Sequence, residues 1–245
     1  MNLLTIKDMC KAYTDKKLFD HVDFSINENE KIGVIGINGT GKSTLLKIAA
    51  GLDIPDEGSV VKGNNIHIRY LPQNPEFTPG STIYEYVIKA NTTHENEWTI
   101  EGDAKTILGK LGFTEFNTVV DRLSGGEKKR LNLLRVLATS PNYILLDEPS
   151  NNLDIATLTI LEDYLDRYEG IVVTVSHDRY FLDRTMKRIF AFEEDGKLKQ
   201  YEGGYTDYSL KKLAEKEEQE AEQAKKAGNA SKTNTQQAQK GQRTR

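Results

Sequence analysis

The sequence predicts an α/β fold with a mainly parallel core sheet, to which an antiparallel β subdomain and a helical subdomain are attached. Strand segments alternate with helical segments along much of the chain, as in α/β proteins. Two apolar runs, YILLDE and IVVTVSH, show no polar alternation, which is typical of strands buried on both faces of a parallel sheet. Short strands dominate the early sequence, whereas about residues 76–125 have mainly helical patterns.

The first half of the chain predicts five strands and then helices. The strand segments contain β-branched residues and read LLTI, VDFSI, KIGVIG, SVVKG and HIRYL. The clearest helical segments are STIYEYVIKA and DAKTILGKLG. A further helix, EKKRLNLLRVLATS, is expected to end before Pro141, because proline cannot continue it.

The second half of the chain alternates strongly between the two types of element. The predicted order is the strand YILLDE, the helix LDIATLTILEDYLDRY, the strand IVVTVSH and the short helix DRYFLDR. The following segment, RIFAFEEDGKLKQYE, is predicted as a hairpin that turns at Asp195-Gly196.

We expect one domain over residues 1–208 and a charged extension over residues 209–245. The extension begins with high helix propensity and continues as a polar segment without a structural pattern. From Gln223 onward it carries only basic charges, namely Lys225, Lys226, Lys232, Lys240, Arg243 and Arg245. Such an end is either a solvated tail or an extension that contacts RNA.

The composition indicates a cytoplasmic protein, or one attached only peripherally to a membrane. The single cysteine, Cys10, excludes an internal disulfide and favours a reducing compartment. Lys7 and Asp8 come too early for the core of a signal peptide. No apolar run approaches the roughly 20 residues that span a bilayer.

The segment GINGTGKST has the spacing of a phosphate-binding loop, and it lies between a predicted strand and a predicted helix. The glycines let backbone N–H groups face phosphates, Lys42 supplies a positive charge to them, and the Ser43 hydroxyl can bind Mg²⁺. The loop residues predicted to bind the nucleotide are Gly36, Asn38, Gly39, Thr40, Gly41, Lys42, Ser43 and Thr44. A chance glycine-rich turn is the alternative that this context opposes.

Acidic residues end the buried strand YILLDE. Asp147 suits the surroundings of Mg²⁺, and Glu148 is placed to take a proton from an attacking water. Alone, such a pair is usually a solvated strand end, but the phosphate loop favours catalysis. His177 follows another parallel strand, so we expect it at the same sheet edge, near the γ-phosphate.

Two further residues each have a functional and a plain interpretation. Gln73, which follows HIRYL, is either a catalytic neutral ligand of Mg²⁺ or of the attacking water, or part of a surface loop. Tyr13 either stacks on adenine, or is an ordinary core or surface aromatic residue. By analogy with nucleic-acid binding, such stacking is worth about 1–3 kcal/mol.

A second anion site is predicted where LSGGEKKR opens a helix. Ser124 occupies the N-cap position, and Glu127 completes a capping box. Gly125 and Gly126 leave the first helical N–H groups bare and accessible, and a helix N-terminus of this kind attracts anions.

In this order, these motifs resemble the nucleotide-binding cassette of the ABC superfamily, over nearly all of the chain to about residue 208. The matching features are Tyr13 (aromatic loop), GINGTGKST (Walker A), Gln73 (Q-loop), LSGGE (signature), YILLDE (Walker B), NNLD (D-loop) and His177 (switch histidine). The resemblance implies an ATPase that uses ATP and Mg²⁺. It also implies that Ser124 contacts the γ-phosphate of ATP held by a second cassette, in a head-to-tail sandwich.

Within the superfamily, three segments look like the ABC-F branch: LDEPSNNLD, SHDRYFLDR and YEGGYTDYSLKKLAEKE. That branch lacks membrane domains, and many members act on ribosomes. The resemblance therefore implies a ribosome-associated translation factor or an antibiotic-resistance-like protein. An ATPase subunit of a transporter and a degenerate, structural ATP binder are the alternatives. Because ABC-F proteins normally carry two cassettes, this chain is either a half-sized gene product or part of a longer one.

Overall fold

A computed structural model describes most of the chain in two compact units, residues 1–205 and 206–245. The described residues are 2–13, 16–64, 66–89, 92, 98, 100–110, 112–137, 141–151, 153–193, 196–218 and 220–221. In the second unit, residues 206–218 are helical, in agreement with the helix propensity of this segment. The polar end of the chain lies outside the described residues.

The elements of the first unit follow the predicted order. The strands among the described residues are β1 (Asn2–Tyr13), β2 (Lys16–Asn27), β3 (Lys31–Ile35), β4 (Glu57–Lys62), β5 (Ile68–Leu71), β6 (Tyr143–Asp147), β7 (Ile171–Val175), β8 (Arg188–Phe192) and β9 (Leu198–Glu202). The helices are α1 (Lys42–Ala50), α2 (Ile83–Val87), α3 (Ile100–Lys110), α4 (Gly125–Leu137), α5 (Ile155–Arg167) and α6 (Arg179–Thr185).

The core is a six-stranded sheet with the strand order β5-β6-β7-β3-β8-β9. Neighbouring strands are parallel except for β8 and β9, which are antiparallel. Every residue of β6 and of β7 is buried, which explains why these segments lack polar alternation. The α/β class and the mainly parallel core sheet are therefore confirmed.

A separate three-stranded sheet has the order β2-β1-β4 and is antiparallel. It is the predicted antiparallel subdomain, although β3 and β5 from the same stretch of sequence join the core sheet. Strands β1 and β2 continue well beyond LLTI and VDFSI. Their register shifts first between Asn2 and Leu4 and again on either side of Met9, so the apolar alternation stops while the backbone pairing continues.

Helices α2 and α3 form a helical region that packs against α4, the helix that follows the LSGG turn. Its buried cluster joins residues of α2 and α3 to Leu131 and Leu134 of α4. Helix α4 begins at Gly125 and is described to Leu137, before the predicted stop at Pro141. This cluster therefore packs the middle of α4 against α2 and α3.

The last strands form the predicted hairpin. Strands β8 and β9 pair antiparallel, from Arg188 opposite Glu202 to Phe192 opposite Leu198. Gly196 in the connection has a positive φ of 74°, as a turn requires, whereas Asp195 lies outside the described residues. Across the described part of the chain, no helix is long and apolar enough to cross a membrane.

Candidate nucleotide-binding and hydrolysis site

The phosphate loop connects β3 to α1, as the sequence predicts. Gly39 and Gly41 have φ values of 78° and 101°, in the left-handed region that favours glycine. A Cβ at Gly41 would lie 3.1 Å from two ring carbons of Phe19, so the loop also packs closely against β2. Gly41 is the N-cap of α1 and supplies no side-chain hydrogen bond. The N-terminus of α1 is therefore suited to a phosphate.

Lys42 extends from the start of α1 back along the loop. Its Nζ donates to the carbonyl oxygens of Gly36 at 2.7 Å and Ile37 at 3.0 Å. Burial lowers the pKa of Lys42, while the charges of Glu148 and Asp147 raise it. Lys42 is only 7% exposed, and its Nζ is held against the phosphate loop. Its charge therefore lies where an arriving phosphate would pair with it.

Asp147 ends β6 inside the site and is 3% exposed. The Ser43 hydroxyl donates to its Oδ1 at 3.1 Å, and the Tyr70 hydroxyl donates to its Oδ2 at 3.1 Å. Burial, with the charge of Asp147, raises the pKa of Tyr70, so the phenol stays a donor. The structure thus brings together Ser43 and Asp147, whose oxygens are the hard ligands that Mg²⁺ prefers.

Tyr70 is not predicted from the sequence as a site residue. It lies on β5, and its contact with Asp147 exists because β5 and β6 are parallel neighbours in the sheet. A tyrosine in a short strand has no distinctive local pattern. Only the strand order shows that it faces the acidic end of β6.

Glu148 has an unusual backbone and an unusual carboxylate. Its φ of 51° is in the left-handed region, and its N–H donates to the Val175 carbonyl at 2.9 Å. The carboxylate Oε1 lies 3.3 Å from His177 Nε2. Oε2 is buried and has no hydrogen-bond partner among the described residues. A buried acceptor without a partner is costly, and a catalytic role is one physical reason for retaining it.

Burial raises the pKa of Glu148, and the positive charges of His177 and Lys42 oppose this shift. The first effect makes the carboxylate a stronger base than an exposed glutamate, while the second favours its ionised form. The arrangement therefore meets the requirement for a general base close to a phosphate loop.

These residues surround one cleft of about 660 Å³, within the usual range for small-molecule sites. Its lining includes ten of the predicted site residues: Tyr13, Asn38, Gly39, Gly41, Lys42, Ser43, Thr44, Gln73, Asp147 and Glu148. Gly36 and Thr40 belong to the same loop, where Thr40 Oγ1 donates to the Ile37 carbonyl at 2.9 Å. Gln73 is exposed at this cleft, and His177 reaches it through Glu148.

Tyr13 is half-exposed at the cleft and is not a core residue. Its hydroxyl donates to Asp53 Oδ2 at 2.7 Å, and Lys11 Nζ lies 5.4 Å from its ring centroid. The ring is thus held in place by polar contacts beside the phosphate loop. Stacking on adenine stays a prediction.

The LSGG turn is elsewhere in the first unit. The Ser124 hydroxyl and N–H both donate to Glu127 Oε2, at 2.6 and 2.8 Å, and the Glu127 N–H donates back to Ser124 Oγ at 3.3 Å. A Cβ at Gly125 or at Gly126 would meet nothing within 4 Å. None of these residues lines the described cleft. The turn is therefore an open, capped helix N-terminus that the nucleotide cleft does not include.

Contacts that the sequence does not reveal connect α4 to the residues after β6. Lys129 Nζ donates to the Asn151 carbonyl at 2.9 Å, and Arg130 lies 3.9 Å from Asp154. The Ser150 hydroxyl is 3.0 Å from that of Ser176, next to His177. The first two contacts join α4 to the segment after β6, and the third joins that segment to the residue before His177. Each pair is too distant in sequence to form a motif.

The fold and this cleft define an ATP-binding cassette. A family model described as ABC transporter matches residues 19–151, more than half of the chain, and the chain belongs to this family. A solved dimeric post-hydrolysis state of an ATP-binding cassette, bound to ADP and Pi, has a TM-score of 0.68 and 25% identity, over 82% of this chain and 98% of that chain. The α/β cassette fold is therefore shared.

Curated relatives include members of the F branch. The uncharacterized ABC transporter ATP-binding protein YfmR of Bacillus subtilis is 38% identical, over 89% of this chain and 40% of that protein. ABC transporter F family member 2 of Arabidopsis thaliana is 37% identical, over 87% of this chain and 31% of that protein. The energy-dependent translational throttle protein EttA of Escherichia coli K12 is 35% identical, over 86% of this chain and 38% of that protein. The chain thus spans at most 40% of the length of these relatives.

Proposed function

We propose that this chain is an ABC-F-type cassette that hydrolyses ATP, and that it acts as a cytoplasmic, ribosome-associated translation factor or antibiotic-resistance-like protein. The observation that carries the proposal is the buried Glu148 carboxylate, held beside His177 in the same cleft as the phosphate loop. A site that only bound ATP would not need a buried base with an unpartnered oxygen.

In the proposed reaction, the loop N–H groups and Lys42 hold the phosphates of ATP. Glu148 takes a proton from the water that attacks the γ-phosphate, and His177 contacts both the base and that phosphate. The oxygens of Ser43, Asp147 and Gln73 suit Mg²⁺, which neutralises charge on the phosphates when bound. Tyr70 and Ser43 keep the Asp147 carboxylate fixed during these steps.

A complete site needs a second cassette, either another copy or a different chain. The open Ser124 turn supports this, because it presents an accessible helix N-terminus outside its own cleft. Ile37 in the loop, Ile155 after Asp154 and Tyr180 after His177 are exposed by 77%, 85% and 88%. Exposed apolar side chains beside the site motifs are suited to a partner surface. The dimeric state of the structural relative also supports a second cassette as the partner.

Action on ribosomes is supported by the F-branch relatives, one of which is named as a translational throttle protein. The six basic residues after Gln223 would add contacts to RNA phosphates. Sedimentation of the protein with purified ribosomes tests this proposal. Binding should fall with salt, and it should fall further when residues 209–245 are deleted. Equal sedimentation of the truncated and full-length proteins would remove the extension from the proposal.

A transporter subunit is the second candidate, and one feature favours it. A groove of about 620 Å³ runs between α1, β5, α2 and α4, with Leu52, Tyr70, Tyr86 and Arg135 in its lining. Such a groove can receive a helix of a membrane partner. Fractionation of cells that express the protein separates the candidates, because a transporter subunit would remain with membranes after ribosomes are removed.

A further inference from the structure

The antiparallel sheet carries a cluster of metal-ligating side chains that takes no part in the nucleotide cleft. Cys10 lies on β1, and Asp20 and His21 lie on β2. One ligand atom from each residue, the Cys10 Sγ, an Asp20 carboxylate oxygen and a His21 ring nitrogen, lies within 4.8 Å of the other two. None of the three lines the cleft that contains Lys42.

A β-bulge brings these three residues together. Met9 pairs with Val22 and Lys11 pairs with Phe19, so Cys10 alone on β1 opposes both Asp20 and His21 on β2. In a regular strand, adjacent side chains point to opposite faces of the sheet. A bulge inserts one residue and redirects its side chain. His21 accordingly has a positive φ of 49°.

A second bulge, on the opposite strand, supplies a partner for the imidazole. Ile6 pairs with Phe24 and Met9 pairs with Val22, so Lys7 and Asp8 together oppose Asp23. Asp8 has a φ of 51°, and its Oδ1 lies 2.6 Å from His21 Nδ1.

The Asp8 contact selects the nitrogen that can bind a metal ion. It fixes the proton on Nδ1 and leaves Nε2, which is 3.9 Å from Asp20 Oδ1, as the ligand atom. Histidines that bind metals are commonly held by a carboxylate in this way.

We propose that Cys10, Asp20 and His21 bind a divalent transition-metal ion of the Zn²⁺ class, with Asp8 orienting the imidazole. Zinc bonds of about 2.0–2.3 Å in tetrahedral geometry place ligand atoms roughly 3.5 Å apart. The three ligand atoms here lie within 4.8 Å of one another, so small side-chain rotations bring them to the spacing that zinc requires. Sulfur and nitrogen ligands favour Zn²⁺ over Mg²⁺, which prefers oxygen alone. The site therefore differs in chemistry from the oxygen-lined nucleotide cleft.

Lys17 competes with the metal ion for Asp20. Its Nζ lies 2.6 Å from Asp20 Oδ1, and this exposed ammonium group neutralises the carboxylate. Metal binding has to displace it. Lys17→Gln should therefore raise the affinity, whereas loss of a true ligand should lower it.

Cobalt(II) titration of the full chain tests the proposal. Cys10 is the only cysteine in the sequence, so thiolate-to-cobalt charge-transfer absorption reports on this cluster even if cobalt also enters the nucleotide cleft. We expect a one-to-one absorption change that added Zn²⁺ removes. His21→Ala and Asp20→Asn should weaken binding more than tenfold, and Asp8→Asn by about 10–100-fold. His67→Ala, an exposed histidine outside the cluster, is the matched control and should change nothing.

A second readout uses the unmodified protein, so that a variant that fails to fold does not leave the question open. Zn²⁺ should slow the alkylation of Cys10 by iodoacetamide, whereas Mg²⁺ should not. The proposal is overturned if cobalt gives no thiolate absorption at stoichiometric amounts, or if Zn²⁺ leaves the alkylation rate unchanged. Equal cobalt absorption in folded His21→Ala would show binding by the thiol alone and would also overturn it.

Discussion

At the scale of single residues, Glu148 combines features that a structural carboxylate does not need. It is 8% exposed, its backbone is left-handed, and its Oε2 has no partner in the described part of the chain. Left-handed backbone in a non-glycine residue costs of order 1–3 kcal/mol, and the surrounding structure has to maintain it. The contact with Val175 across the sheet supplies one such restraint.

Glu148→Gln should lower the ATPase rate by about 10²–10⁴-fold, because the amide keeps the shape of the side chain but cannot accept the proton. Steady-state phosphate release measures the rate, and equilibrium ATP binding should be retained. Glu169→Gln, on an exposed residue, is the control and should keep full activity. A Glu148→Gln rate within a few-fold of the unsubstituted protein would remove Glu148 as the base.

The pH dependence should show the raised pKa of Glu148. Because burial raises this pKa, the base becomes protonated at a higher pH than an ordinary glutamate, whose pKa is about 4.3. Activity should therefore fall as the pH is lowered through that raised value. His177→Ala removes a charge that lowers the pKa of Glu148, so the acidic limb of kcat/KM should move to higher pH. A limb that moved to lower pH in His177→Ala, with His67→Ala unchanged, would contradict this electrostatic account.

Site residues with a local pattern are predictable from the sequence, and those defined by strand order are not. The spacing of glycines, Lys42 and Ser43 is contained in one short segment between a strand and a helix. Tyr70 becomes a neighbour of Asp147 only when β5 pairs with β6. The bulges that group Cys10 with His21 depend on the register of two strands, which apolar alternation does not specify there.

At the scale of elements, the phosphate loop is fixed by backbone conformation as well as by packing. Gly41 has a φ of 101°, and a Cβ there would press on Phe19 at 3.1 Å. Gly80 has a similar positive φ of 75°, but a Cβ there would meet nothing within 4 Å. Substitution of Gly80 therefore reports the free-energy cost of the backbone conformation alone. Substitution of Gly41 reports that cost together with the cost of the close packing.

Gly41→Ala should destabilise the protein more than Gly80→Ala, for which we expect about 1–2 kcal/mol from the left-handed backbone alone. Thermal denaturation of both variants measures the difference. Gly41→Ala should also weaken ATP binding, since the shifted loop misplaces its N–H groups. If the two variants lost equal stability, the close packing of the loop on Phe19 would not contribute.

The buried parallel strands are predicted well because burial on both faces removes the polar alternation of β6 and β7. Strands β1 and β2 are longer than predicted, because charged residues at their bulges end the apolar pattern but not the pairing. Helix α4 is recognisable from its capping box, which the Ser124 and Glu127 contacts confirm.

At the scale of the whole molecule, the central claim is that the nucleotide cleft of one cassette works with the Ser124 turn of another. ATP would then be the bridge between the two, so the free first unit should be monomeric. Glu148→Gln should retain ATP and accumulate as an ATP-dependent dimer. Ser124→Arg should block that dimer by filling the open turn, while ATP still binds to the monomer. Size-exclusion chromatography with light scattering measures both states.

The most direct test is to mix two variants that are each inactive alone. Lys42→Ala removes the charge of the phosphate loop, and Ser124→Arg fills the signature turn, so neither homodimer has a complete site. A mixed dimer has one complete site, made from the loop of the Ser124→Arg chain and the turn of the Lys42→Ala chain. We predict that mixing restores ATP hydrolysis, measured as phosphate release, in proportion to the mixed dimer formed. A mixture of folded variants that stayed as inactive as its components would contradict a site shared between two copies of this cassette.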